Sequence, residues 1–298
     1  MRLKQFYVII SLILTGTTLS CNKTDDDTYS AIDSAIRIDM MEVIDARTAG
    51  AVVKPLRVLE LHCSTERSYP CHYIDVKYQQ ASNNTIDIVF KGVVRYPGVC
   101  IPPDIAFDTP YASTTVQLLA LSNGVYNLNL SIGKVKHKGK LIVSSDSYRV
   151  DFNANSPFNF DSTTLDRIPE HTVFGYITYG RDEEETLSVI QSFFEALTDL
   201  GATKNTRAGY YRVSVKDVSN SYFLATDNGG NIEEITGGLI TVYQSFIFHY
   251  SGDIAEVERV LKEHESNRCI FIYLFTNSGE AFAVGTCGPF GQLPKLHL

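Results

Sequence analysis

Tryptophan is absent from this 298-residue chain and methionine occurs only three times, whereas tyrosine and phenylalanine occur 17 and 16 times. Rigid aromatic rings carry much of sugar and peptide recognition, because they bury a large apolar area and keep a polar handle. A carbohydrate platform built on tryptophan is therefore excluded. A platform built on tyrosine is not.

Basic residues are outnumbered as well. The chain holds 26 Lys and Arg against 34 Asp and Glu, for a formal net charge of -8 at pH 7. Because nucleic-acid phosphates require a basic protein face, nucleic acid is not expected as a partner.

Several enzyme signatures are missing too. The sequence contains no HExxH zinc motif, no phosphate-binding glycine loop ending in Lys-Ser or Lys-Thr, and no GxSxG nucleophile turn. We therefore predict no catalytic residues, no metal and no cofactor.

After residue 20 no stretch approaches 18 consecutive apolar residues, so no membrane-spanning helix is expected.

The first twenty residues have the pattern of an export signal. Arg2 and Lys4 precede a mainly apolar stretch at residues 6–14. Such a stretch is too short to cross a bilayer, which takes roughly 20 apolar residues. The pattern therefore predicts a signal peptide that is removed from the mature protein.

Residues 18–21, Thr-Leu-Ser-Cys, resemble the lipobox of bacterial lipoproteins, although Thr18 stands where leucine is usual. The resemblance implies cleavage before Cys21 and attachment of lipid, including palmitate, to that cysteine. The membrane then becomes a partner through the lipid anchor. An ordinary secretory signal with a cysteine at its end is the alternative.

The residues after Cys21 form an acidic run, Asn-Lys-Thr-Asp-Asp-Asp at 22–27. It is similar to the surface-export signal of Bacteroidetes-type lipoproteins, which implies an outer-membrane location facing outward. A solvated tether that carries acids only for solubility is the alternative. The resemblance covers residues 1–27 and names no activity.

Short stretches that alternate apolar and polar residues fill the region from 31 to 155, and this alternation is the mark of half-buried strands. The predicted strands are at residues 57–61, 73–78, 85–90, 116–121, 126–132, 140–143 and 148–152. Asn123 and Gly124 predict a hairpin turn between the fourth and fifth of them. Seven strands without a helical window predict an immunoglobulin-like β-sandwich.

A segment rich in Asn, Ser, Asp and Pro follows at 156–171 and has no periodicity, so it is interpreted as a linker. The predicted organisation is listed in chain order: signal peptide 1–20, tether 21–30, β-sandwich 31–155, linker 156–171 and a second domain at 172–298.

The spacing of apolar residues changes in the second domain. A strand at 173–179 precedes a helix that Asp182 and Glu185 open, and a hairpin at 210–226 follows. A strand at 245–250, a helix capped by Asp253 and a hairpin at 269–286 repeat that order. The repetition predicts a duplicated β-α-β-β unit in an α+β sandwich resembling the ferredoxin-like class, so the overall fold class is α+β.

An exported chain meets an oxidising environment, so its cysteines are disulfide candidates. A three-residue turn at 277–279 makes residues face each other when their numbers sum to 556, which places Cys269 opposite Cys287. Cys63 and Cys71 flank a polar loop and are the second candidate pair. Cys100 then stays unpaired or takes one of those two partners.

A zinc site is the alternative for the same loop. Cys63, Cys71, His62 and His72 supply suitable ligand atoms, but their spacing matches no closed tetrahedral pattern.

Three sets of side chains are candidates for modification or contact. The triplets at 33–35 and 161–163 resemble the O-glycan acceptor of Bacteroidetes-type exported proteins, which implies glycosylation of Ser34 and Ser162. Tyr210, Tyr211 and Tyr222 on the first hairpin are the candidate binding residues.

These observations favour a surface lipoprotein of non-enzymatic binding, adhesion or envelope-structural type, whose partner is a protein or a glycan. The alternative is a hydrolase or cell-wall-acting enzyme built on the second domain. It predicts a pocket that gathers His171 or His249 with carboxylates. His249 and Asp253 lie close enough for a dyad but lack a recognisable nucleophile, and His264 is expected to pack on its helix.

Overall fold

The computed structural model describes residues 29–45, 56–81, 83–96, 110–119, 121–153, 155–179, 184–205, 209–216, 221–227, 231–236, 239–265, 270–287 and 291–292. Strands predominate in this part of the chain.

Eleven strands precede residue 170. They are β1 (Tyr29–Ser30), β2 (Ile36–Asp45), β3 (Leu56–Ser68), β4 (His72–Ala81), β5 (Thr85–Arg95), β6 (Tyr111–Leu118), β7 (Gly124–Ile132), β8 (Val135–Val143), β9 (Ser147–Phe152), β10 (Phe158–Phe160) and β11 (Thr164–Asp166). The alternation that predicts them is visible in β2, where Ile36, Ile38 and Met40 are buried and Arg37 faces the other side.

Ten strands and two helices follow. The strands are β12 (Thr172–Tyr179), β13 (Thr203–Lys204), β14 (Tyr210–Lys216), β15 (Ser221–Asp227), β16 (Asn231–Thr236), β17 (Leu239–His249), β18 (Phe271–Thr276), β19 (Ala281–Val284), β20 (Thr286–Cys287) and β21 (Gly291–Gln292). The helices are α1 (Glu184–Asp199) and α2 (Ile254–Glu263).

Both helices follow from local sequence. In α1 the side chains of Ile190, Phe193 and Leu197 are buried on one face, and Gly201 follows with φ +89°, a left-handed conformation that glycine adopts without strain. In α2 the carboxylate of Asp253 accepts a hydrogen bond from the backbone N–H of Ala255 at 3.0 Å, as the sequence predicts for a helix cap.

The large sheet has 13 strands. Its hydrogen-bonded order is β11-β9-β8-β7-β5-β4-β6-β3-β2-β14-β15, with β1 on β5 and β10 on β2. Most neighbours are antiparallel, but β10 and β14 both run parallel to β2, β7 runs parallel to β5, and β6 runs parallel to β4. The sheet curls so that β11 at one end lies beside β14, where the backbone N–H of Tyr210 donates to the carboxylate of Asp166 at 2.8 Å.

The small sheet has six strands in the order β13-β17-β12-β18-β19, with β16 on β17. Buried residues of α1, α2 and these strands form one core, which includes Ile177, Phe193, Val257 and Leu274. The two helices therefore cover one face of the small sheet.

The other face of the small sheet packs on the large sheet. Phe174 and Phe275 of the small sheet share a buried cluster with Ile44 and Val213 of the large sheet and with Ile168, which precedes β12. The inner face of the curled sheet has its own core, to which Ile38, Leu61 and Phe90 belong.

A buried carboxylate lies at the end of this inner core. Glu42 has no exposed surface, and its two oxygens accept hydrogen bonds from Arg57 Nη2 at 2.7 Å, Arg167 Nε at 3.2 Å, Tyr148 at 3.3 Å and the backbone N–H of Ile168 at 3.1 Å. Burial raises the pKa of the Tyr148 hydroxyl, so this group stays protonated and donates. The cluster joins β2, β3 and β9 to the chain that leads into β12.

The predicted α+β fold class is wrong, and so is its immunoglobulin-like part. A sandwich divides its strands between two sheets, whereas here β2 to β9 form one hydrogen-bonded sheet that curls around its own core. Gly124 is the first residue of β7, but the predicted hairpin turn is not formed, because β7 pairs with β5 and β8 while β6 pairs with β3 and β4. Alternation identified strands without identifying their partners.

The ferredoxin-like duplication is also wrong. The second hairpin, β18 with β19, belongs to the small sheet, but its counterpart β14 with β15 joins the large sheet beside β2. The two units are thus not equivalent, and the domain predicted for 172–298 contributes strands to the sheet of the first.

The segment 156–171 is not the predicted structureless linker. Its strand β10 pairs with β2, and β11 pairs with β9. The predicted tether also ends inside the fold, since Tyr29 and Ser30 pair with β5. Within the described ranges, no helix has the length and apolarity needed to cross a membrane.

Candidate functional site

A polar cavity of about 310 Å³ opens on the outer face of the large sheet. It is lined by Arg37, Asp39, His62, Cys63, Ser64, Ser113, Thr114, Thr115, Asp161 and Arg212. Cys63 belongs to the inner core, so the outward side chains of the neighbouring positions supply the chemistry of the cavity.

Strand register brings these residues together in two rows. Asp39 on β2 lies opposite His62 on β3, which lies opposite Thr115 on β6. In the adjacent row Arg37 pairs with Ser64, and Ser64 pairs with Ser113. Residues that face each other across strands share one side of the sheet, so both rows present their side chains outward.

The cavity lies where β2 changes its parallel partner. Residues 36–38 pair with β10 and residues 42–45 pair with β14. Asp39 falls between these two segments, and Arg212 on β14 and Asp161 after β10 reach it from either side. This change of partner places side chains from three distant parts of the chain around one opening.

Two ion pairs line the cavity. Arg212 Nη1 lies 2.6 Å from Asp39 Oδ2, and Arg37 Nε lies 2.5 Å from Asp161 Oδ1. Burial raises the pKa of Asp39, and the nearby Arg212 guanidinium opposes that shift. The hydrogen bond and the charge of Asp161 raise the pKa of Arg37.

The second oxygen of Asp39 is different. Asp39 Oδ1 is buried and has no hydrogen-bond partner among the described residues. A buried acceptor left unsatisfied costs on the order of 1–3 kcal/mol. Asp39 therefore adds an unsatisfied acceptor beneath the surface of the cavity.

His62 contacts the carboxylate of Glu60, which lies two residues earlier on β3. Its Nε2 lies 3.1 Å from Oε2 of Glu60, and Oε1 of Glu60 accepts a hydrogen bond from the amide of Gln117 at 2.6 Å. Glu60 is buried, with 2% of its surface exposed. Its carboxylate orients the imidazole of His62 at the cavity wall.

The tyrosines that were predicted to bind a partner lie in different surroundings. Tyr210 lies beside the cavity, where its hydroxyl accepts a hydrogen bond from Arg212 Nη1 at 3.3 Å. Tyr211 is 3% exposed and packs in the cluster between the sheets, so its ring is not at the surface. The side chain of Tyr222 lies outside the described part of the chain.

Arg37, Asp39 and Ser64 were not predicted as site residues, and His62 was considered only as a ligand of the alternative zinc site. Their alternation with buried neighbours such as Ile38 signals an outward face, yet that signal is the same for any solvated strand. Arg212 and Asp161 come from strands or turns whose partners the sequence does not reveal.

The hydrolase alternative predicts a pocket that gathers His171 or His249 with carboxylates. The rings of His171 and His249 lie with centroids 6.3 Å apart. His171 and Glu280 both line a cavity of about 120 Å³, but Glu280 Oε2 already accepts hydrogen bonds from Thr276 and Ser278. That carboxylate is engaged in stabilising the hairpin turn.

One serine does contact a histidine. Ser192 Oγ lies 3.2 Å from Nε2 of His264, and Nδ1 of His264 lies 2.8 Å from the carbonyl oxygen of Val260. The pair lies outside both cavities and links α1 to the end of α2. His264 also packs edge-on to Phe193, in agreement with its predicted packing role.

The predicted hairpin register is confirmed, since Ile272 pairs with Val284 and Phe275 with Ala281. Cys269 lies outside the described residues, as does the side chain of Cys287, so their disulfide stays a prediction. The acidic residues at 182 and 183 and the lipidation candidate Cys21 also lie outside them.

The predicted pair of Cys63 with Cys71 is wrong. Cys63 is a free, buried thiol, whereas Cys71 is disulfide-bonded. Its partner is therefore another cysteine, and the alternative that names Cys100 stays open. The zinc site is wrong as well, because Cys63 faces the inner core while His62 faces the outer side. Among the described residues, no three His, Cys, Asp or Glu side chains are grouped to hold a metal.

We expect Cys63 to resist alkylation in the native protein. Its side chain is 1% exposed, and burial raises the pKa of the thiol, so the reactive thiolate is scarce. Iodoacetamide at pH 8 should leave Cys63 unmodified in native buffer and modify it fully in guanidinium. Mass spectrometry of the peptide 58–67 measures both. Equal rates in both conditions would contradict the placement.

The two glycosylation candidates lie in local turns. Ser34 Oγ donates to the carbonyl of Ala35 at 3.0 Å, and Ser162 Oγ donates to the carbonyl of Thr164 at 2.7 Å. Both side chains are half-buried. Glycosylation of either serine stays a prediction.

Protein-family models, curated proteins and solved structures were compared with the chain, and none of them matches it.

Proposed function

We propose that this chain is a lipid-anchored envelope protein that binds a ligand at the outer-face cavity and catalyses no reaction. The observation that carries the proposal is an outer-face cavity in which two ion pairs and several hydroxyl groups, from distant parts of the chain, surround one opening. A site built from rigid strands with an unsatisfied acceptor suits recognition, because its groups keep their positions before the ligand arrives.

The non-enzymatic part of the proposal rests on the contacts of the candidate groups. Glu280, the carboxylate that lines the small cavity with His171, is bonded to two hydroxyls of its own turn. The Ser192 and His264 pair has a backbone carbonyl, rather than a carboxylate, behind the imidazole. The hydrolase alternative therefore has less support than binding.

Anchoring rests on the sequence at Cys21. Tyr29, the first described residue, is eight steps along the chain from Cys21. A chain segment of this length spans about 28 Å at most when fully extended. Lipid on Cys21 would thus hold the sheet near the membrane, with the cavity carried by the folded part.

Replacement of Cys21 tests the anchor. In a bacterium that processes lipoproteins, Cys21→Ser should abolish labelling by radioactive palmitate and leave an uncut precursor on gels, because the thiol that accepts lipid is gone. The matched control Cys63→Ala should keep the label, since Cys63 lies in the core.

Persistent labelling of the Cys21→Ser protein would contradict anchoring at this cysteine. Proteinase K added to intact cells should then digest the wild-type protein if the anchor faces outward. Protection until the cells are lysed would contradict the outward orientation.

A further inference from the structure

The outer face of the large sheet continues from the cavity into a row of tyrosines. Ser113, at the wall of the cavity, pairs with Tyr73 on β4. Tyr73 pairs with Val94 on β5, and Val94 pairs with Tyr29 on β1. Since paired residues share a face, the tyrosines lie on the same side of the sheet as the cavity.

These rings are open to solvent. Tyr29 is 49% exposed, Tyr96 is 54% exposed, and Tyr111, two residues before Ser113 on the same side of β6, is 43% exposed. The rings of Tyr73 and Tyr96 have centroids 5.2 Å apart. Exposed aromatic clusters of this kind mark contact surfaces, because their burial by a ligand is favourable. We call Tyr29, Tyr73, Tyr96 and Tyr111 the tyrosine patch.

Gly92 makes room for the patch. A Cβ atom at this position would lie 2.6 Å from Cζ of Tyr29, closer than side chains tolerate. Tyr29 therefore lies directly against the backbone of β5. A ring supported in this way loses little freedom when a ligand stacks on it.

Charge in the cavity is balanced. Arg212 faces Asp39, and Arg37 faces Asp161, each pair within 2.6 Å. A charged ligand would have to compete with these pairs, so the site offers it little net attraction. The remaining polar groups are the imidazole of His62 and the hydroxyls of Ser64, Ser113 and Thr115, which donate and accept.

The cavity and the tyrosine patch are adjacent, and together they cover an extended surface. Arg37 and Tyr73 are separated by three strand spacings, from β2 through β3 and β6 to β4, or about 14 Å. A ligand that contacts both must combine apolar ring faces with several hydroxyl groups, carry no net charge and extend over that distance.

We propose that the ligand is a neutral oligosaccharide, whose sugar faces stack on the tyrosine patch while hydroxyls of the same chain enter the cavity and donate to Asp39. This inference rests on the proposed binding function and names its ligand class. Tyrosine carries out the stacking for which the chain has no tryptophan.

Affinity electrophoresis of the full chain in gels that contain soluble polysaccharides tests the proposal. Galactomannan, xyloglucan and soluble starch are the neutral probes, and polygalacturonate and heparin are the anionic ones. At least one neutral probe should retard the wild-type protein. Tyr96→Ala and Asp39→Asn should each weaken that retardation about tenfold or more, because the first removes a stacking ring and the second removes the charged acceptor.

Val135→Ala is the matched control, since Val135 is 62% exposed on β8, away from the patch. It should bind as the wild type does, and circular dichroism should show that all three variants are folded. Retardation by anionic probes alone, or equal retardation of wild type and both site variants, would overturn the proposal. If no probe retards the wild type while Cys21 labelling is intact, the oligosaccharide inference fails and the anchored-protein proposal stands.

Discussion

Glu42→Gln is expected to destabilise the protein by about 3–5 kcal/mol, the cost of removing one partner from a buried ion cluster. Glu42 is fully buried, and the side chains of Arg57 and Arg167 are 19% and 13% exposed. The amide of glutamine cannot accept the bonds that Oε2 receives from Arg57 and Ile168. Two guanidinium groups would then lie in the interior without a neutralising charge.

Urea unfolding followed by circular dichroism measures this loss as a lower transition midpoint with an unchanged slope. A loss of that size is large beside the 5–15 kcal/mol that stabilises a typical domain. The control Glu256→Gln removes an ion pair to Arg259 on the exposed side of α2 and should leave the midpoint nearly unchanged. Equal midpoints for Glu42→Gln and wild type would show that the cluster is not the link between β2 and the chain entering β12.

Phe174→Ala is expected to cost about 3–5 kcal/mol, because it opens a cavity in the cluster that joins the two sheets. Phe174 is fully buried, and its ring centroid lies 5.8 Å from that of Phe275. Across the junction the same cluster contains Ile44 and Val213 of the large sheet. The substitution therefore weakens packing within the small sheet and between the sheets.

Calorimetry distinguishes this junction from a local defect. With the junction weakened, the two sheets should unfold less cooperatively, so the calorimetric enthalpy should exceed the van't Hoff enthalpy. Leu187→Ala on α1 is the control, since Leu187 is 46% exposed and its loss should leave the melting temperature close to that of wild type. A single wild-type-like transition for Phe174→Ala would contradict a shared core.

Local features were predictable because their physics is local. The period-two alternation at 73–78 and 85–90 lies inside β4 and β5, and Asp253 caps α2 as expected. The register of the β18 and β19 hairpin was also predictable, since a short turn fixes which residues face each other. Each of these features depends on residues within a few positions of one another.

Long-range pairing was not predictable from the same patterns. Nothing in the sequence of β14 distinguishes pairing with β2 of the large sheet from pairing with β17 of the small one, since both present apolar faces. The predicted sandwich and duplication failed at that step. The candidate site could not be predicted for the same reason, because Arg37, His62 and Arg212 come together only when β2 pairs with β3 and β14.

The sequence by itself determined the strand-rich pattern, the helix ends, the exclusion of tryptophan platforms and the expectation of an anchor at Cys21. Tertiary structure alone decided that the strands curl into one sheet, that Glu42 is buried between two arginines and that tyrosines lie beside a charge-balanced cavity. Alternation records only whether a side chain faces the core. The identity of its neighbours depends on contacts between distant segments, which are selected by the packing of the whole chain.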